Sequence, residues 1–117
     1  MANKKLISAD EKTAKFLTIV EFILQHVHND EFNRVTLELG EYTLSILTGS
    51  HDDSAKLGTI EIGLSKNGVF YKGLDDSDES IIHYLPFYAF PTFMYCVSLA
   101  KCGEILEYIF ENFKKMY

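Results

Sequence analysis

Four histidines, two cysteines and seventeen carboxylates are the side chains of this 117-residue chain that could do chemistry. Their spacing decides which chemistry is open to them. His26 and His28 lie two apart in a helical segment, so their rings diverge by roughly 200° and cannot share an ion. His51-Asp52-Asp53 sets an imidazole beside two carboxylates, but hydrolytic metal chemistry needs further ligands and only His83 remains to supply one. The acidic run Asp75-Asp76-Ser77-Asp78-Glu79 lacks the glycine at the sixth loop position and the glutamate at the twelfth that a calcium loop requires. No metal and no cofactor are expected.

Nucleophiles and phosphate cradles fare no better. Gly63 and Gly68 stand at the spacing of a phosphate-binding loop, but Val69-Phe70 follows where Lys-Ser/Thr is needed. Cys96 and Cys102, six apart in a helical segment, point to different faces. They are expected as buried free thiols, which points to a reducing compartment. Pairing either with His83 would ask a thiol on an apolar face to react, and such thiols are usually inert. Glu21, set among Val20, Phe22 and Ile23, is the one carboxylate in apolar company; it is expected at the polar edge of its helix. The chain does not read as an enzyme.

What stands out instead is where the charge lies. The total is −6, but residues 1–15 carry +2, residues 101–117 carry zero, and residues 16–100 carry twelve acids against four bases. Direct binding of nucleic acid needs clustered Lys and Arg, and none is present. An acidic field favours a cationic partner. The expected partner-binding residues are Glu38 and Glu61 on the outward face of a sheet, with Asp52, Asp53, Asp75, Asp76, Asp78 and Glu79 in flanking loops. Aromatics reach 14% with no Trp. Six rings crowd into Tyr84, Phe87, Tyr88, Phe90, Phe93 and Tyr95; core packing is their default use. Tyr84 and Tyr88, beside Pro86, also suit a protein interface.

The elements that must position these groups follow from periodicity. Ser8 and Glu11 form a capping-box pair, and Phe16, Val20, Ile23 and Val27 make an apolar stripe beyond them. This predicts a helix over 9–28, closed by Asn29, with residues 1–7 as a flexible N-terminus. Ile19 and Phe22 add a second buried face. Val35, Leu37 and Leu39 fall on odd positions but Tyr42, Leu44 and Ile46 on even ones. A two-residue turn at Gly40-Glu41 accounts for the switch and pairs 39 with 42, 37 with 44 and 35 with 46. Ile60, Ile62 and Leu64 face inward on a third strand. Asn67-Gly68 is a hairpin turn returning through Val69-Phe70-Tyr71-Lys72. Ile81 to Phe90 fits either a fifth strand or a short helix. From Pro91, a helix with a core stripe of Tyr95, Leu99, Cys102, Leu106, Ile109 and Phe113 is expected, with Gly103 as a bend.

The sum is one α+β domain over 1–117: a four-stranded antiparallel sheet of two hairpins, with the N- and C-terminal helices packed on one face. No signal peptide or membrane span is read, since Ile81–Ala100 is interrupted by polar residues and proline. A cytoplasmic protein is expected.

In size, acidity and order of elements the chain resembles the small phage-encoded anti-CRISPR proteins. The resemblance implies a non-enzymatic inhibitor that binds a basic nuclease, or a nuclease–guide RNA complex, and offers acids where phosphates would lie. An immunity protein against a cationic toxin nuclease shares the same features. A small ligand-binding or enzymatic domain, with its pocket between sheet and helices, and a homo-oligomeric structural subunit joined through the aromatic segment are the readings from other classes.

Overall fold

The computed structural model describes residues 4–27, 32–49, 58–74, 80–100 and 102–117, with the backbone alone for residues 4–13. It is an α+β protein with an antiparallel sheet and three helices. Helix α1 (Lys4–His26) buries Phe16, Ile19, Ile23 and Val27. It begins earlier than expected, with Ser8 inside it rather than capping it. Lys4, Lys5, Leu6 and Ala9 are all good helix formers, so propensity carries the helix back past the capping pair. Ile19 is buried as anticipated, but Phe22 is exposed and lies against the His26 ring at 4.6 Å between centroids. His26 Nδ1 and the Phe22 carbonyl are 2.7 Å apart. Asn29 lies outside the described residues.

Strands β1 (Asn33–Leu39) and β2 (Tyr42–Thr48) form the expected hairpin, with Leu39 opposite Tyr42, Leu37 opposite Leu44 and Val35 opposite Ile46. Gly40 takes φ +65°, the conformation the first position of this tight turn demands. Strand β3 (Thr59–Lys66) pairs with β2 and buries Ile60, Ile62 and Leu64. Asn67 and Gly68, at φ +52° and +80°, then turn the chain, both with the positive φ of a type I′ hairpin.

Beyond that turn the topology departs from two simple hairpins. Strand β4 (Val69–Phe70) is only two residues long. The Tyr71 amide still donates to the Leu64 carbonyl, but the Leu64 amide donates to Ser80. A fifth strand, β5 (Ile81–Pro86), therefore takes over the same edge of β3. This resolves residues 81–86 as strand. The β3–β5 register shifts between Ile60 and Ile62, so Ile82 and Leu85 are both buried although three residues apart.

The C-terminal helix is also two. Helix α2 (Phe90–Leu99) has Pro91 in its first turn, and α3 (Gly103–Met116) follows after extended backbone at Ala100 and Cys102. The break resets the helical phase. In α2 the buried residues are Phe90, Phe93, Met94 and Val97, whereas Tyr95 and Leu99 of the expected stripe are exposed. In α3, Leu106 of the expected stripe is buried and Ile109 and Phe113 are partly buried against the core, while Phe110, outside the expected stripe, is fully buried. The inward strand residues and those of all three helices join in a single buried cluster, in which Phe93 meets Phe113 and Tyr71 meets Phe110 edge to face. The thiols depart from expectation, since Cys96 is half-buried and Cys102 exposed; both are free.

Candidate functional site

Two places bring polar groups together. The first is the sheet face alternate to the core. Strand register lays its residues out in rows: Arg34, Leu47 and Glu61, then Thr36, Ser45, Gly63 and Ile81, then Glu38, Thr43, Ser65 and Phe70. Glu61 stands opposite the bulge of β5, where its Oε1 lies 3.6 Å from His83 Nδ1. This is an ion pair whenever the imidazole is protonated. Both side chains are partly exposed, so solvent screens it. The Tyr84 ring sits 6.0 Å from that of His83.

Of the expected contact residues, Glu61 and half-buried Tyr84 are thus both neighbours of His83. Exposed Glu38 shares the face but stands roughly 16 Å away, by strand spacing and rise. Tyr88 is 70% exposed, in the turn after β5, its ring edge-on to Phe87. Asp52, Asp53, Asp75, Asp76, Asp78 and Glu79 lie outside the described residues. The residues flanking those two acidic segments, Thr59 at the start of β3 and Ser80, which accepts from the Leu64 amide, are separated by roughly 17 Å along β3. Among the aromatic run, Phe90 and Phe93 are fully buried, while Phe87, Tyr88 and Tyr95 remain at the surface.

The second place is a cavity of about 300 Å³ between the β1–β2 turn and the α2–α3 junction, lined by Leu39, Glu41, Tyr42, Val97, Cys102 and Leu106 among others. Tyr42 organises it. An inward tyrosine needs a partner for its hydroxyl, and α3 supplies one: Tyr42 donates to Glu107 Oε1. Burial, donation to Glu107 and the negative charge of Glu107 and Glu41 all push the phenol well above the ordinary tyrosine range. The group is therefore a hydrogen-bond donor and no base. Lys66 Nζ lies 5.5 Å from the ring centroid.

Gly103 explains how α3 approaches so closely. A Cβ there would fall 2.6 Å from Tyr42 Cε2, so the first turn of α3 abuts the ring only because the residue is glycine. Further along α3, Glu111 is buried with Lys114 Nζ at 3.8 Å. Sequence reasoning placed Tyr42 inward but missed Glu107 and Glu111. The available signal was the i, i+4 spacing of Glu107 and Glu111 on the helix that carries Leu106 and Phe110.

Among the described residues no three His, Cys, Asp or Glu side chains are grouped to hold a metal ion. No described helix is long and apolar enough to cross a membrane. Glu21 is exposed, as its polar-edge position implied. No protein-family model matches the chain, and neither a curated protein nor a solved structure does.

Proposed function

We propose that the chain is a non-enzymatic binding protein that lays an acidic surface on a cationic surface of another protein. The observation that carries this reading is the segregation of charge, twelve acids against four bases over residues 16–100. Exposed Glu21, Glu38 and Glu41, which stand outside any ion pair among the described residues, support it. In this reading α1 and α3 cover the sheet face that carries Leu37, Leu44 and Ile62. The Glu38–Glu61 face and the acids of residues 52–53 and 75–79 meet the partner. In its finest form the protein is a cytoplasmic inhibitor of the anti-CRISPR kind, or a toxin-nuclease immunity protein, filling a groove meant for nucleic acid. The support for that form is size, acidity and order of elements.

A second reading rests on the cavity beside Tyr42, whose place between hairpin and helices fits a small-ligand-binding domain.

The test titrates the purified protein against a panel of basic nucleases, with and without bound nucleic acid, at about 50 mM and about 500 mM salt. Steered association between opposite charges slows steeply as salt rises. The expected result is competition with nucleic acid, an association rate at least tenfold lower in high salt, and a further loss when Asp75, Asp76, Asp78 and Glu79 are reversed to Lys. Binding indifferent to salt, or no binding to any basic protein, overturns the reading. A chain that ignores the panel but melts higher with a small molecule follows the second one.

A further inference from the structure

The two edges of the sheet are protected unequally. On the far edge β5 is bulged, ends in Pro86 and shares the side of β3 with β4. Bulges, short strands and proline are the usual devices that keep an edge from recruiting another strand. Strand β1 has none of these three, and its only charges are the exposed Arg34 and Glu38, one of each sign. It is seven residues long, pairs with β2 without a register shift and carries no proline or inward-pointing charge. No described strand pairs its outer side.

Backbone phase fixes what that side offers. Leu39 and Tyr42 close a two-residue turn, so they exchange both hydrogen bonds, and by alternation so do Leu37 with Leu44 and Val35 with Ile46. The intervening residues Arg34, Thr36 and Glu38 therefore turn their N–H and C=O groups away from β2, and all three are exposed.

We propose that β1 is a homodimerisation edge, pairing antiparallel with β1 of a second copy about a two-fold axis at Thr36. In that register Thr36 faces Thr36 of the second copy as a hydrogen-bonded pair. Arg34 faces Glu38 of the second copy, and Glu38 faces its Arg34. Each of these pairs exchanges two backbone bonds, about six in all. The outward groups then all find partners, and the two opposite-charge pairs stand directly across the ladder, where they are favourable.

The charges choose the occupant. They are symmetric about Thr36 and opposite in sign, which suits a self-complementary interface. A slip of two residues either way sets a charge against threonine, and a parallel alignment sets like charges side by side. A foreign strand has no reason to carry this pattern. The core row agrees: Val35 and Leu39 on β1 stay partly open where Leu44 and Ile46 on β2 are fully buried. In the dimer Val35 meets Leu37 of the second copy, and the sheet continues unbroken through the axis.

Analytical ultracentrifugation of the full chain, up to millimolar concentration, tests this independently of any basic partner. The expected result is a reversible dimer. Arg34→Glu or Glu38→Arg alone should raise its dissociation constant at least tenfold, because each puts like charges opposite one another. The double variant R34E/E38R should return it to within about threefold of wild type. A wild-type monomer throughout, an assembly larger than a dimer, single reversals without effect (as for a dimer through Tyr88 and Tyr95), or a double variant that fails to recover would each overturn the proposal. Should the charge variants not fold, hydrogen exchange of the wild type decides. The Arg34, Thr36 and Glu38 amides should become protected as concentration rises, and unchanged exchange at those three overturns it.

Discussion

On one side of β3 the ladder is regular: β2 pairs residue for residue from Tyr42 to Leu47, and β1 pairs with all of β2 in turn. On the other side the edge is divided between β4, two residues long, and β5, which joins through a bulge. The first flank takes its order from the backbone, through the tight turn at Gly40-Glu41 and uninterrupted hydrogen bonds. The second relies on side chains. Ile82 and Leu85 reach the core from either side of the bulge, and Tyr71 is set edge-on against Phe110 at 6.0 Å between centroids. The regularly paired flank leaves an open edge, whereas the other packs against α3 and closes its edge with irregularity.

The largest expected effect comes from removing that packing against α3. Phe110 is fully buried and touches the segment between β4 and β5. Phe110→Ala should cost about 3–5 kcal/mol, read from the urea midpoint, because the cavity it leaves is flanked by rigid strands. Amide exchange should quicken over 80–86 well before 42–47. Equal loss of protection on both flanks would mean that the β1–β2 hairpin is as dependent on α3 as β5 is.

Much of this asymmetry was visible in the residues before the structure was. The odd-to-even switch of apolar positions across Gly40-Glu41 located one hairpin and its register, and Asn67-Gly68 located the other turn. Both are local signals, written within about fifteen residues. The position of β5 is not local. Its apolar run suits strand and helix alike, and which one forms is settled by the free amide and carbonyl groups of β3 once β4 leaves the sheet. The break at Ala100–Cys102 was hidden for a related reason. Residues 90–99 are apolar around most of the helix, so Tyr95-Leu99 and Phe90-Phe93-Met94-Val97 made equally good stripes, and only packing distinguishes them. For the proposed binding surface, spacing could show that Glu38 and Glu61 share a face on the first and third strands. It could not show that His83 meets Glu61 through a bulge.

A middle-sized effect probes how the regular flank is tied to the helices. Tyr42 of β2 reaches across to α3 with its hydroxyl, through Glu107. Tyr42→Phe removes a hydrogen bond to a charged acceptor and should cost about 1.5–3 kcal/mol. Its pH dependence carries a sign. Burial first, then Glu107, raises the phenol's pKa in the folded protein, so the native state keeps a proton that the unfolded chain gives up. The stabilisation is full below about pH 10, the ordinary tyrosine range, and is lost as pH rises from there toward the folded value. One such proton changes stability by at most about 1.4 kcal/mol per pH unit. Urea midpoints of wild type should therefore fall more steeply between about pH 9 and about pH 11 than those of Y42F. Parallel curves would show that the phenol ionises no later folded than unfolded.

The smallest effect sits where the two flanks meet. Gly63 is opposite Ser45 on the regular side and Ile81 on the irregular side. Its φ is not positive, and a Cβ there would lie 3.8 Å from Ser45 Cβ, an ordinary contact. Nothing in the backbone requires glycine at this point. Gly63→Ala should therefore raise stability by about 0.4–1 kcal/mol, mainly by narrowing the unfolded ensemble. The sign is the informative part. A gain means that β3 accepts a side chain between its two neighbours as drawn. A loss of comparable size would mean that β5 crowds this row more closely than its register with Gly63 allows, and that the side-chain-built flank, not the hydrogen-bonded one, sets the tolerance of the whole face.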